Sequence, residues 1–327
     1  MALLRFIAAA PYTAFMCGNG RRGITMISKN TILSILCAFF AALYFAHPLL
    51  QIVKNRNTAP VKSAIINPAE KNDIVQIALT AADGSKITIS KNGNLWMGQI
   101  EGLDAVFPCT QPLAASFIEE LTAIKKTYRI SRGEGNVFTD GTADFLISWT
   151  IVSGITKSVY LGGRDFSGTM RFIKAENGAV SKIESGFDAY LDTSARFWCD
   201  PYIIPRIRTD SRAPSESIQR LSLITDGKRI ALIPGTDDFT PRTERILSLR
   251  HGGLTNFTPS PNENPSLRIE AEFSNGESIS VPVYRADDGN YLLDYDLLGG
   301  ALHYSAAISE RTYHNLRTAF SQLSGIK

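Results

Sequence analysis

The chain has 327 residues, with 34 Lys and Arg against 31 Asp and Glu, for a net charge of +3. So even a balance excludes the strongly basic footprint of an electrostatic nucleic-acid binder, and four cysteines in this length exclude a disulfide-dense scaffold. The length beyond the first 60 or so residues is enough for two domains at about 100 to 200 residues each.

Residues 1–30 are expected to form a cytoplasmic N-terminal segment. Gly18, Gly20 and Gly23 satisfy GxGxxG in form, but a dinucleotide fingerprint must follow a strand and open a helix, and this one precedes an apolar run. Arg21 and Arg22 share only a dipeptide with twin-arginine export signals and read as basic flanking residues. Met26 is an alternative translation start. The run from Thr31 to Val53 carries no charged residue and is long enough, as a helix, to cross a hydrocarbon layer of roughly 30 Å. It predicts a single transmembrane helix over 31–53. Lys54, Arg56 and Lys62 after it nearly match Arg5, Arg21, Arg22 and Lys29 before it, so charge alone leaves sidedness open.

A polar linker over 54–72 leads into strand-period sequence. Val75, Ile77 and Leu79 alternate with polar or small neighbours, and Asp83-Gly84 turns the chain into Ile87 and Ile89. A second turn at Asn92-Gly93 leads into Leu95, Trp96 and Met97. Thr110 with Pro112 then opens a helix, on which Leu113, Phe117, Ile118, Leu121 and Ile124 recur at helical spacing. Strands return at Phe145, Ile147, Trp149 and Ile151, turn at Ser153-Gly154 and come back through Val159 and Leu161. A further pair surrounds Asn177-Gly178, and Phe187, Tyr190 and Leu191 close a first unit over 73–200.

A proline- and arginine-rich linker over 201–215 separates it from a second unit over 216–327 with the same order of signals. IQRLSLITDGKRIALIPG echoes VQIALTAADGSKITISKNG, Thr240-Pro241 opens a helix, and Asn275-Gly276 stands where Ser153-Gly154 stood. Ser309 caps a last helix striped by Tyr313, Leu316, Phe320 and Leu323. The expected fold class is α+β: an N-terminal transmembrane helix, then two similar units of antiparallel strands with packed helices.

Chemistry is harder to find. His251, His303 and His314 are scattered, and no HExxH, CxxC or GxSxG motif accompanies them. Glu119-Glu120, Asp237-Asp238 and Asp287-Asp288 are paired acids whose members point apart on a helix or sit in turns. Gly162-Gly163-Arg164 could approach a ligand closely, although a tight hairpin explains it. Phe145, Trp149, Phe172, Phe197 and Trp198 read as core or boundary packing. Arg206, Arg208 and Arg212 form a basic strip that contacts headgroups or a partner if it is more than hydrated linker. Cys109 and Cys199 are the remaining possible pair; they could bridge in an oxidising compartment, but spacing does not show it, and two buried free thiols are at least as well supported. No catalytic residue, cofactor or metal ligand is assigned.

The IALTAADGSKITISKNGNLWM opening, the helix from Leu113 to Tyr128, the SVYLGGRDFSGTMRFIKAENGAVSKI run and the FDAYLDTSARFWCDPYIIPR close together resemble an uncharacterised bacterial family. Its members are membrane-anchored domains of unknown function found with ABC-type export and gliding-associated proteins. The resemblance covers roughly Asp73 to Arg206 best. It implies a domain outside the cytoplasmic (inner) membrane, held by its N-terminal helix in the lipid bilayer, as an accessory to a transporter-like assembly of the ABC export type.

The leading expectation is therefore a non-enzymatic, membrane-anchored accessory protein that binds a transporter-like or envelope complex and no nucleic acid. An alternative is an envelope module recognising a glycan or small solute in a cleft between the units, lined by Trp149 or Tyr291. A hydrolase assembled from distant acids and His251 or His303 is the third reading.

Overall fold

The computed structural model describes residues 34–40, 42, 60–130, 143–207, 218–232, 234–260, 263–286 and 289–321. By internal contacts the chain divides into Met1–Asn57 and Thr58–Lys327. In the first unit, residues 34–40 and 42 are helical and exposed. No helix among the described residues is long and apolar enough to cross a membrane, a task that takes about 20 apolar residues in one helix. That overturns the transmembrane helix expected over 31–53 and the single-pass inner-membrane location drawn from it. The rest of that run lies outside the described residues, as do Arg21, Arg22 and the glycines at 18, 20 and 23.

In the second unit the strands are β1 (Val61–Ser63), β2 (Ile74–Ala81), β3 (Lys86–Asn92), β4 (Leu95–Ile100), β5 (Val106–Pro108), β6 (Lys125–Arg129), β7 (Phe145–Ile151), β8 (Thr156–Arg164), β9 (Met170–Ala175) and β10 (Val180–Glu184). They continue as β11 (Ile218–Thr225), β12 (Lys228–Leu232), β13 (Gly253–Thr255), β14 (Leu267–Phe273), β15 (Ser278–Arg285), β16 (Tyr291–Leu297) and β17 (Leu302–Ile308). All hydrogen-bond into one antiparallel sheet in the path β1-β6-β10-β9-β8-β7-β2-β3-β4-β5-β17-β16-β15-β14-β11-β12, with β13 beside β17.

Within this path one wiring occurs twice. β3-β2-β7-β8-β9-β10-β6 and β12-β11-β14-β15-β16-β17-β13 pair in the same order. The match extends to irregularities. β2 slips against β7 between Ile74 and Gln76, and β11 slips against β14 between Ile218 and Arg220. Each bulge follows a buried isoleucine and precedes three consecutive buried residues, so the extra residue re-aims the strand onto its core face at the same point in both copies.

The helices are α1 (Gln111–Thr122), α2 (Ala195–Trp198), α3 (Phe239–Leu247) and α4 (Glu310–Ser321). α1 and α3 occupy matching places in the chain, after the first hairpin of each copy. On α1, Ala114, Phe117, Ile118 and Leu121 are buried, while Ile124, expected on the same stripe, lies beyond the helix and is 65% exposed. Tyr313 of α4 stacks on Tyr291 of β16 with ring centroids 3.7 Å apart, which fixes that helix to the sheet.

The expected α+β class is corrected to a mainly antiparallel β architecture, about 45% strand, with helices as local covers. The reason is specific. Short strands such as β1 (VKS), in the expected linker, and β6 (KKTYR), inside the helix expected from Leu113 to Tyr128, carry too few apolar residues to show a period-2 signal, yet their backbones extend the ladder beyond β10.

A single core of buried side chains runs through both copies, and residues of the expected linker belong to it: Ile203 and Ile204 are 0% and 3% exposed. Close approach is allowed where β4 meets β5, because Gly98 lacks the Cβ that would fall 2.4 Å from the Phe107 ring.

Candidate functional site

Titratable groups with displaced proton affinities gather where the first copy meets the second. β5 leaves β4 and touches β17 at Val106–His303, and the chain then passes Cys109. Cys109 lies opposite Cys199, which follows α2, in an isolated antiparallel bridge. The next residues, Asp200 to Arg206, form a second bridge at Tyr202–Arg250. The expected N-cap Thr110 does not cap α1 with its side chain; its hydroxyl donates to the Cys199 carbonyl at 3.3 Å.

Asp200 organises this stretch. Its side chain is buried, and its Oδ2 accepts the Arg206 backbone N–H at 2.5 Å while Oδ1 accepts that of Tyr202 at 3.4 Å. Desolvation pushes this carboxyl above the ordinary carboxylate range, opposed by those two N–H groups and by the Arg206 and Arg250 charges. The looped backbone carries Arg206 back over Tyr202. Its guanidinium carbon lies 3.6 Å from the Tyr202 ring centroid, and that of Arg250 lies 5.2 Å away on the bridged strand. Arg250 Nη2 also donates to the Tyr202 hydroxyl at 3.4 Å. Both arginines are exposed.

Next to Asp200 are the two thiols. Burial raises Cys109 to about 12, and it raises Cys199 further, with Asp200 and Cys109 adding to the shift. His251 Nε2 lies 3.9 Å from Cys199 Sγ and 2.9 Å from the Asp200 carbonyl. A carbonyl only accepts, so Nε2 carries the hydrogen and is not a base for the thiol. A reactive cysteine needs its thiolate favoured, and here burial opposes it. Chemically, the cluster positions a surface; it does not activate a nucleophile.

His251 itself is half-buried, and desolvation lowers its affinity for a proton relative to the ordinary histidine value of 6.5, outweighing the Asp200 hydrogen bond. Below that value the unfolded chain binds the proton and the folded one resists it, so the stability linked to His251 is present above 6.5 and lost as pH falls. His251→Gln keeps a donor for Asp200 and removes the titration. Urea midpoints taken from about pH 7 to about pH 5 should fall less steeply for the variant than for the parent chain.

The other sequence candidates disperse. His303 is exposed on β17, and His314 pairs with Glu310 one turn earlier on α4. Glu119 and Glu120 diverge to Lys71 and Lys125. Asp238 accepts from Arg242, whereas Asp287, Asp288, Arg208 and Arg212 lie outside the described residues. Gly162-Gly163-Arg164 is a bulged end of β8 that receives the protein's own Arg171, whose Nη1 donates to the Gly162 carbonyl. Trp149 and Tyr291, named for a ligand cleft, are 6% and 7% exposed. Among the described residues there is no group of three or more His, Cys, Asp or Glu placed to hold a metal.

Sequence reasoning missed Tyr202 and Arg250, whose 48-residue separation is bridged only by the fold. Comparisons with family models, with curated proteins and with solved structures find no match. The class of protein is therefore set by architecture alone: a duplicated antiparallel β-sheet module with an arginine-tyrosine platform at its seam.

Proposed function

We propose that this chain is a non-enzymatic binding module that docks another protein through the Tyr202, Arg206 and Arg250 platform, against an acidic surface of the partner. The observation that carries it is the platform itself: two exposed guanidiniums stacked about one tyrosine, neither in an ion pair among the described residues. Arginine and tyrosine are the side chains that most often dominate protein interfaces, and a pre-stacked guanidinium loses less freedom on binding. The thiols held protonated beside a neutral imidazole support a binding role over catalysis. A transporter-like assembly is the partner class that the sequence resemblance implies.

Crosslinking at native expression, followed by copurification, tests this reading. The double variant Arg206→Glu/Arg250→Glu should reduce recovery of the crosslinked partner at least tenfold, on the order of the loss of one interface hot spot. Its thermal midpoint should stay within a few degrees of the parent's. Undiminished recovery with the double variant, or a parent chain that never crosslinks, would sink the proposal.

A further inference from the structure

We infer that Cys109 and Cys199 are a disulfide-forming pair, a covalent clamp between two segments of the first copy at the seam that neither the fold nor the binding role requires. The argument is one of register. Thr110 N–H bonds to the Trp198 carbonyl and Asp200 N–H bonds to the Pro108 carbonyl, each at 2.8 Å. These two bonds flank Cys109 and Cys199 and leave that pair itself without mutual backbone bonds. In antiparallel ladders this is the narrow kind of pair, with Cα atoms roughly 4.5 Å apart and both side chains on one face. A disulfide needs Cα atoms about 4.4 to 6.8 Å apart, so the backbone is already within range.

Both cysteines are free thiols in this structure, and Cys199 Sγ is turned 3.4 Å from the Asp200 carbonyl. A rotation about its χ1 toward Cys109 is the movement the bond requires. The oxidant is a small-molecule or protein disulfide. The Cys109 thiolate attacks it, its S–S bond breaks, and one thiolate leaves. The Cys199 thiolate then attacks the Cys109 sulfur of the mixed disulfide and expels the second. Two cysteines are oxidised, one external disulfide is reduced to two thiols, and the two cysteine protons pass through solvent to the departing thiolates. Burial disfavours both thiolates in the folded chain, so the reaction proceeds fastest while the seam is open during folding.

The clamp closes a long loop. It joins the strand that links the copies to the segment bearing Tyr202 and Arg206. The experiment uses the full chain, refolded from urea with oxidised glutathione or with dithiothreitol, then blocked with N-ethylmaleimide and mapped by mass spectrometry without reduction. The expected product is a Cys109–Cys199 crosslinked peptide pair, two hydrogens lighter than the reduced pair. It should persist in Cys17→Ser/Cys37→Ser and vanish in Cys109→Ser. The bridged form should melt roughly 5 to 10 °C above the reduced form.

Alkylation of both cysteines after oxidative refolding to a native circular-dichroism spectrum would overturn the inference. So would a stable mixed disulfide with glutathione, pairing with Cys17 or Cys37, or a bridged form that melts below the reduced one.

Discussion

Replacing Trp198 by alanine should lower the free energy of unfolding by about 3 to 5 kcal/mol, the range for removing a large aromatic from a packed core. Trp198 is fully buried, and its ring lies 5.4 Å from Phe117 of α1 and 5.1 Å from Phe197. Its indole Nε1 donates to the Asp192 carbonyl at 2.5 Å, and its own carbonyl accepts from Thr110 N. Truncation therefore opens a cavity and leaves the Asp192 carbonyl without that donor, at the place where α1 and the seam share a core. Trp198→Phe should recover most of the loss, because it restores ring contact without the N–H. Urea unfolding followed by far-ultraviolet circular dichroism measures both, and a loss under about 1 kcal/mol for the alanine variant would show that the site collapses freely.

A second large effect is expected at Asp188. Its side chain is 5% exposed; Oδ1 accepts Arg171 Nε at 2.8 Å and Oδ2 accepts Arg164 Nε at 2.6 Å. Arg171, 9% exposed, also reaches Asp144 at 3.0 Å and the Gly162 carbonyl at 2.5 Å. Asp188→Ala leaves the buried Arg171 guanidinium with only Asp144 and the Gly162 carbonyl, and breaking a buried pair in this way costs about 3 to 5 kcal/mol. The double variant Arg171→Met/Asp188→Ala removes the stranded charge as well and should be more stable than the single variant. If the double variant unfolds at lower urea than the single, the pair's value lies in the arginine's bonds to Gly162 and Asp144.

The local grammar of this chain was largely legible. Asp83-Gly84, Asn92-Gly93, Ser153-Gly154, Asn177-Gly178 and Asn275-Gly276 all fall at turns, and each of these glycines has a positive φ that other residues adopt at a cost. α1 begins at Gln111 beside the expected Thr110-Pro112 signal, and α4 presents Tyr313, Leu316 and Phe320 to the core. What failed was inference from long apolar runs and from missing alternation. The apolar run at 31–53 suggested a span that no described helix makes, and β6 was read as the end of a helix from Leu113 to Tyr128 because its ladder role rests on backbone groups. The candidate site was less legible still. Arg206 was singled out for its basic neighbours, but those neighbours lie outside the described residues, and its structural companions are Tyr202 and Arg250.

By itself the amino-acid order determined where this protein turns and which face of each long strand is apolar, because both are settled within a few residues by φ preference and by the period-2 alternation of side chains. Only the tertiary structure decided that the strands join into one sheet, that Ile203 and Ile204 of the supposed linker are core, and that Cys109 faces Cys199. Those outcomes depend on which distant backbone completes each hydrogen-bond ladder. That choice is made by the packing of the whole chain, and no local stretch of residues carries it.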